Sequence, residues 1–238
     1  MQCTIVIPTF RDARIAHALD SIASQKNIQL EVVVVDGANE PETFQSLPTY
    51  SFPLTFIHEK DNGVYDAMNK GIAVAKGEWI YLLGSDDLLA NENTLSNLIS
   101  RGAQADVVFG NVENTRLSHS ATTKIHIPSF PNGMIWKHTL HQQGVLYRRA
   151  LFQERMFNTT YQILGDYEFH FHLKNKNVKV EYMNETVSQC DANGLSKRYF
   201  WKLYKEEIRL KKKYLNGLEW LIVVPFVISK FLFKKLTK

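Results

Sequence analysis

Two neighbouring carboxylates, Asp86 and Asp87, follow a short apolar stretch that runs from Trp79 to Leu83. Adjacent anions repel each other, so both stay exposed only where a cation or hydrogen-bond donors compensate their charge. Mg²⁺ and Mn²⁺ favour one or two carboxylates together with phosphate oxygens and water. The pair therefore indicates a divalent-cation site that also holds phosphate. The structural alternative is an Asp-Asp helix cap.

A second pair of acids, Asp166 and Glu168, lies at the start of a helix predicted over Asp166–Lys174. A carboxylate that is partly desolvated and close to a hydroxyl group serves as a general base. The same positions also suit a helix cap and a first-turn acid that interacts with the helix dipole. The pattern alone leaves both interpretations open.

Strand-like and helix-like segments alternate over residues 1–110 and would position the first pair of acids. Apolar β-branched runs predict the strands, and apolar residues spaced for one face predict the helices. This alternation implies a parallel α/β sheet, in which ligands lie beyond the carboxyl ends of the strands. The predicted strands are Cys3–Pro8, Glu31–Asp36, Leu54–His58, Trp79–Leu83 and Asp106–Phe109, and the predicted helices are Asp12–Ser24, Val64–Ala75 (ended by Gly77) and Asn91–Ser100.

Polar residues follow each of the first four predicted strands. They are Thr9, Asp36, the pair Glu59 and Asp61, and the run from Ser85 to Asp87. Strand ends are also turns, which favour Asp and Asn, so any one of these residues has a purely structural explanation. Four polar ends in succession favour a binding site. From residue 111 the alternation fades.

Four motifs in this order and spacing resemble family 2 glycosyltransferases with the GT-A fold, a Rossmann-like, mostly parallel sheet with helices on both faces. The resemblance covers roughly residues 3–190. The third motif is close to a subgroup that builds bacterial surface polysaccharides such as O-antigen. The motifs are Ile5–Phe10, Glu31–Ala38, Glu59–Gly71, and Gly77–Ile80 leading to Ser85-Asp86-Asp87.

The resemblance implies an inverting, metal-dependent enzyme that takes sugar from a nucleotide-sugar donor, with UDP as the expected nucleotide. Asp36 would bind the base, Thr9 would line the same pocket, and Asp86 would contact the ribose. Asp87 would bind Mn²⁺ or Mg²⁺ at the diphosphate. One departure is Ser85, which replaces the first carboxylate of the usual metal motif and leaves the role of Asp86 less defined.

Further roles follow from the same resemblance. Asp166 matches the general base, with Gly165 in place of the acid that often precedes it. Asp61 and Lys70 are assigned to the donor site, although a solvated helix face explains Lys70 equally well. His141 would contact the diphosphate, the metal or the acceptor, or is structural. The segment Asn193–Ser196 would close over the acceptor.

The charge of the chain is unevenly distributed. The 238 residues carry a net charge of +4, but residues 197–238 hold twelve Lys or Arg against three Glu, so the remainder is acidic. This predicts a catalytic domain over 1–196 and a basic, amphipathic helical tail over 197–238. The longest uncharged stretch of the tail, Trp220–Ser229, is too short to cross a bilayer, which needs about 20 residues. We therefore expect an interfacial membrane segment; a helix packed on the core or an oligomer contact is the alternative.

The chain has no basic, apolar leader at its start and only two cysteines, so we expect a cytoplasmic protein, peripheral on the inner face of the plasma membrane. Its expected partners are a nucleotide-sugar and a saccharide acceptor, which the membrane segment suggests is lipid-linked, and no nucleic acid. A nucleotidyltransferase would need a Gly-rich loop after the first strand, and Thr9–Asp12 contains no glycine. A non-catalytic membrane scaffold is the other alternative, and the retained acids oppose it.

Overall fold

The computed structural model describes residues 1–115, 124–191 and 201–236. The predicted acceptor segment Asn193–Ser196 and the predicted boundary at 196/197 lie outside these residues. The strands are β1 Cys3–Thr9, β2 Leu30–Asp36, β3 Leu54–His58, β4 Trp79–Leu82, β5 Leu88–Leu89, β6 Val107–Thr115, β7 Lys124–His126, β8 Val145–Arg148 and β9 Val180–Asp191. The α-helices are α1 Ile15–Ala23, α2 Val64–Val74, α3 Thr94–Arg101, α4 Ala150–Glu154, α5 Gly165–Asn175, α6 Trp201–Tyr214 and α7 Gly217–Leu236.

The described strands form one sheet in the order β3-β2-β1-β4-β8-β6-β9-β5, and β7 pairs with β6. The first four strands in this order are parallel, as the sequence predicts, and so is the pair β6–β9. Strand β8 runs antiparallel to both β4 and β6. The sheet is therefore mixed in its second half, where the strand–helix alternation of the sequence fades.

The register of the parallel strands brings their polar ends to one edge. Thr9 pairs with Asp36, and Asp36 pairs with His58. On the other side of β1, Val6 pairs with Leu82, so the Ser85–Asp87 turn follows at the same edge. Because side chains alternate across a strand, the sheet buries one apolar layer on each face. Helices α1 and α3 cover one layer, and α2, α5, α6 and α7 cover the other.

Helix α6 belongs to the second apolar layer, where Leu203, Tyr204 and Leu210 are buried. Helix α7 folds back along it: the rings of Trp201 and Phe231 lie 4.8 Å apart, and Lys230 pairs with Glu207 at 3.0 Å. Of the two packing arrangements expected for the tail, α6 thus adopts the one on the core. No helix in the described parts of the chain combines the length and apolarity needed to cross a membrane.

One local expectation is corrected. Helix α2 ends at Val74 because Ala75 is already extended, so Gly77 does not end it. Gly77 instead donates its backbone N–H to the Thr4 hydroxyl at 2.8 Å and leads into β4. Helix α7 continues through Pro225 to Leu236. Val223 and Val227, buried on either side of the proline, pack into the second apolar layer.

Candidate active site

The carboxylate of Asp87 is almost completely buried at the tip of β4, with 3% of the residue exposed. Its Oδ2 accepts the backbone N–H of Gly84 at 3.1 Å, and the side chains of Gln143 and Cys190 also bond to it. Burial, and then the charge of Asp86, raise its pKa to about 6. The site is therefore energetically costly for the carboxylate as long as nothing positive lies beside it.

Asp86 is more exposed, and its negative charge is compensated by Arg14 in the loop after β1. Arg14 Nη1 lies 3.3 Å from Asp86 Oδ2, and Arg14 Nη2 lies 2.8 Å from Asp12 Oδ2. The Ser85 hydroxyl donates to Asp12 at 3.0 Å, which ties the turn after β4 to the loop after β1. The sequence reasoning placed Asp12 at a helix start and missed this role. The available signal in the sequence was that an acidic and a basic residue, Asp12 and Arg14, follow the first strand closely.

Asp36, Asp61 and Thr9 lie together at the same sheet edge. Asp36 accepts backbone N–H groups from Ala38 at 3.0 Å and from Glu40 at 2.6 Å, and it lies 3.1 Å from His58 Nδ1. A Cβ on Gly37 would lie 1.7 Å from Asp61 Oδ2, so the two strand ends touch there. The buried Thr9 hydroxyl has no hydrogen-bond partner among the residues that the structure describes. A buried polar group without a partner is rare and suits a pocket wall that receives a polar ligand.

Lys70 lies on α2 and is engaged locally. Its Nζ is 2.9 Å from Glu59 Oε1 and donates to the backbone carbonyl of Lys60 at 2.6 Å. These contacts hold the segment between β3 and α2 together. Contact between Lys70 and a diphosphate remains a prediction.

Asp166 lies at the start of α5, with 14% of its side chain exposed. Its Oδ1 accepts the hydroxyl of Tyr65 at 2.9 Å and the backbone N–H of Tyr167 at 2.8 Å. Its Oδ2 lies 3.6 Å from His138 Nε2. Gly165 is required by close approach, since a Cβ there would lie 2.7 Å from the Tyr65 ring. Oriented by two donors and partly shielded from water, this carboxylate is suited to take a proton.

A single segment, residues 138–143, contacts the surroundings of both acids. The His138 ring lies 6.4 Å from that of His141, which in turn lies 4.1 Å from the ring of His126. Gln143, at the other end of the segment, bonds to Asp87. Five residues span at most about 18 Å, so this segment connects the surroundings of Asp166 with those of Asp87. Sequence reasoning named His141 and missed His138 and Tyr65.

Helix α6 holds the loop that precedes the candidate base. The Glu206 carboxylate, 7% exposed, accepts the backbone N–H groups of Gln162 at 2.9 Å, Ile163 at 3.0 Å and Leu164 at 3.1 Å. Tyr65 links the same loop to Asp166, because its hydroxyl also lies 3.0 Å from the Ile163 carbonyl. Nothing in the local sequence around Glu206 indicates this role.

We expect Glu206→Gln to lower kcat about tenfold and to lower the free energy of unfolding by about 2 kcal/mol. The reason is that the amide nitrogen of glutamine would face a backbone N–H group and cannot accept a hydrogen bond from it. The KM for the donor should not change. Glu207→Gln is the matched control, since Glu207 pairs with Lys230 of α7 rather than with the loop. Steady-state kinetics and urea unfolding measure both effects. Equal losses of kcat in the two variants would contradict a specific role for Glu206.

Lys211 is fully buried on α6, where its Nζ donates to the carbonyls of Met134 at 2.9 Å and Ile135 at 2.7 Å and to the Tyr167 hydroxyl at 2.5 Å. Burial lowers the pKa of Lys211 to about 7. In an unfolded chain a lysine has a pKa of about 10.4. Between these values the unfolded chain binds a proton that the folded chain has released, so stability rises with pH.

We therefore expect the stability difference between the wild-type protein and Lys211→Met to grow in favour of the wild type between pH 7 and 9.5. The expected slope is up to about 1 kcal/mol per pH unit. Urea unfolding of both proteins at each pH measures it, and the other titrating groups cancel in the difference. A constant difference across this range would show that Lys211 does not titrate with the expected pKa.

The described residues contain no cluster of three or more His, Cys, Asp or Glu side chains placed to hold a metal ion. The site nevertheless fits a cation that is shared with a ligand. Asp87 offers a desolvated oxygen beside a second carboxylate, and Mg²⁺ or Mn²⁺ completes its shell with phosphate oxygens and water.

Comparison with known proteins connects this geometry to a family. The sequence profile of glycosyl transferase family 2 matches residues 4–174, which include every acid described above except Glu206 and Glu207. The chain belongs to glycosyl transferase family 2. A PGL/p-HBAD biosynthesis glycosyltransferase of Mycobacterium tuberculosis (strain ATCC 25177 / H37Ra) is 30% identical over 244 residues, covering 95% of this chain and 92% of the relative. The succinoglycan biosynthesis protein ExoO of Rhizobium meliloti (strain 1021) is 28% identical over 169 residues, covering 64% of this chain and 47% of ExoO.

Solved structures show that this family 2 glycosyltransferase has the GT-A fold. S. aureus TarS 1–349 in complex with UDP-GlcNAc superimposes with a TM-score of 0.67 at 17% identity, covering 96% of this chain and 72% of TarS. The mannosyltransferase PcManGT from Pyrobaculum calidifontis, in complex with GDP-Man and Mn²⁺, gives a TM-score of 0.65 at 20% identity, covering 97% and 73%. The fold and family predicted from the four motifs are thereby confirmed.

Proposed function

We propose that this glycosyltransferase is a metal-dependent, inverting enzyme that transfers sugar from a UDP-sugar to a saccharide acceptor carried on a lipid. The observation that carries the proposal is that one segment, residues 138–143, contacts two acids that lie in different environments. Asp87 is buried beside Asp86 and suits a cation and phosphate, whereas Asp166 is held by Tyr65 and suits proton transfer.

The donor site lies along the edge of the parallel strands. Asp36 and Thr9 receive the base, Asp61 and Lys70 line the same site, and Asp86 contacts the ribose. The TarS structure with UDP-GlcNAc supports UDP as the nucleotide. Asp87 would hold Mn²⁺ or Mg²⁺, and PcManGT, solved with GDP-Man and Mn²⁺, supports a metal of this type. When bound, the ion supplies positive charge to the diphosphate as it departs.

The chemical step is a single displacement. The acceptor oxygen forms a bond to the anomeric carbon of the donor sugar, and the bond between that carbon and the diphosphate oxygen breaks. Asp166 takes the proton of the acceptor hydroxyl. The electron pair of the broken bond between carbon and the diphosphate oxygen leaves with UDP. Attack from the face opposite the diphosphate inverts the anomeric configuration. His141 lies on the segment between the two acids and would contact the diphosphate or the acceptor.

The acceptor belongs to surface polysaccharide or glycolipid biosynthesis. The relatives named for PGL/p-HBAD and succinoglycan biosynthesis support this class, and O-antigen assembly is one example of it. The basic C-terminal helices would hold the enzyme at the inner face of the plasma membrane, on its cytoplasmic side. Twelve cationic residues from 197 onward support an anionic surface as the partner.

A screen of nucleotide-sugars tests the proposal. In the presence of Mn²⁺ we expect one UDP-sugar to be hydrolysed slowly to UDP without acceptor, and chelation with EDTA should abolish the reaction. UDP release is the measurement, and GDP-sugars serve as the specificity control. If calorimetry finds no affinity for UDP with Mn²⁺, the chain is better explained as a non-catalytic scaffold.

A further inference from the structure

Helix α7 has two apolar faces, one buried and one exposed. Val223 and Val227 are buried in the second apolar layer, and Val224 is also buried. The opposite face carries no charge along a helix that is about 30 Å long. We call it the apolar face of α7, and it comprises Leu218 (78% exposed), Leu221 (57%), Ile222 (65%), Phe226 (45%), Leu232 (51%), Phe233 (64%) and Leu236 (85%).

Trp136 extends this face onto the catalytic domain. Its ring meets that of Phe226 edge-on at 5.7 Å, and 42% of Trp136 is exposed. Exposed apolar side chains grouped on one surface mark an interaction site. Aromatic residues such as tryptophan are enriched where one end of the side chain is apolar and the other is wet, as at a membrane surface.

The segment that carries Trp136 also reaches the candidate base. Trp136 precedes His138 by two residues, so their Cα atoms are at most about 7 Å apart. His138 Nε2 lies 3.6 Å from Asp166 Oδ2, and its ring stacks on Tyr167 at 4.6 Å. Lys211 fixes the start of the segment through the carbonyls of Met134 and Ile135. A short segment therefore joins the apolar surface to the candidate base.

We propose that Trp136 and the apolar face of α7 form one docking surface for the membrane, which places Asp166 at the bilayer surface. The acceptor is then a membrane lipid whose reacting hydroxyl lies close to the head-group level, rather than the distant end of a long polymer. This inference rests on the proposed function for its chemical step, in which Asp166 takes the hydroxyl proton and UDP departs.

Charge and packing favour a membrane as the occupant. The exposed lysines Lys212 and Lys235 lie at the two ends of the α6–α7 hairpin, and the tail is strongly cationic, which matches anionic lipid. Because the other face of α7 is buried on the core, lipid can cover only one side of the helix. The arrangement suits a helix in the plane of the interface.

Vesicle co-sedimentation of the full chain tests the docking surface. We expect the wild type to bind vesicles of equal parts phosphatidylcholine and phosphatidylglycerol more tightly than pure phosphatidylcholine. Trp136→Ala/Phe226→Ala and, independently, Leu221→Ser/Phe233→Ser should weaken binding at least tenfold. Val74→Ala/Ile127→Ala is the matched control, since both residues are exposed and apolar but lie elsewhere. UDP affinity and Tm report whether each variant is folded.

Three results would overturn the docking surface. The wild type could remain in the supernatant with both vesicle types, or folded double variants could sediment as the wild type does. Sedimentation velocity without vesicles could also reveal a dimer that both double variants dissociate, which would assign the apolar face of α7 to a second copy of the chain.

A transfer assay tests the acceptor. With the UDP-sugar identified by the screen, and vesicles made from a total lipid extract of the source cells, label should appear in a chloroform–methanol-soluble product. Trp136→Ala/Phe226→Ala should reduce this label at least tenfold. Label found only in water-soluble polymer would overturn the lipid acceptor. A wild type that docks on vesicles yet fails to bind UDP would instead contradict the proposed function.

Discussion

Replacing Asp166 by asparagine is expected to lower the rate of sugar transfer about 10²–10⁴-fold, the usual contribution of a general base. Asparagine has nearly the same shape, and its carbonyl oxygen can still accept the Tyr65 hydroxyl and the backbone N–H of Tyr167. It cannot take a proton from the acceptor. The affinity for UDP should remain unchanged, because the proposed donor site lies along the ends of β1, β2 and β4.

Single-turnover transfer and calorimetric UDP binding separate these effects. Asp20→Asn is a suitable control, since Asp20 is an exposed acid of α1 whose carboxylate accepts a hydrogen bond from Tyr50 at 3.1 Å. A variant at Asp166 that loses UDP affinity and transfer in equal measure would indicate a structural role. Retention of wild-type transfer would remove Asp166 from the mechanism.

Asp87→Asn should have two opposite effects: loss of Mn²⁺-dependent UDP binding by at least about 100-fold, and a gain in stability of the unliganded protein. The pKa of Asp87 is raised to about 6, so the folded chain binds more protons than the unfolded chain between roughly pH 4 and 6. Stability from this group is present at low pH and is lost as the pH rises through 6. Above that, the buried charge costs on the order of 3 kcal/mol, and asparagine removes the cost.

Urea unfolding at pH 8 and pH 4.5 measures this effect, and we expect the advantage of Asp87→Asn to shrink at the lower pH. Asp86→Asn is the stability control because Asp86 is more exposed and paired with Arg14. Mn²⁺ with UDP should raise the Tm of the wild type but not that of Asp87→Asn, since only a bound ligand stabilises by mass action. A destabilised Asp87→Asn at pH 8 would contradict the expected cost of the buried charge.

The sequence predicts the parallel half of the fold well because local pattern controls it. A run such as Val32–Val35 specifies a buried strand, and parallel pairing then brings Thr9 and Asp36 to one edge. The contacts of the candidate base are less accessible, because they join distant residues. Tyr65 and Asp166 are 101 positions apart, and Glu206 lies 42 positions from Leu164. No local periodicity reports such contacts.

The tail illustrates a different limit. Its composition indicates apolar and cationic helices, but α7 has apolar residues on opposite faces, so periodicity cannot tell which face the protein covers. Only tertiary packing distinguishes the buried Val223 and Val227 from the exposed Leu221 and Phe226. The membrane role of that exposed face stays a prediction until the vesicle experiment is done.

The three hydrogen bonds from the loop before Asp166 to Glu206 have a practical consequence for chimaeric enzymes. The family profile ends at residue 174, and a graft designed from it would exchange acceptor specificity without α6. Three consecutive backbone N–H groups would then face a foreign helix with no guarantee of a carboxylate. A functional hybrid must inherit residues 160–166 and 201–214 from the same parent.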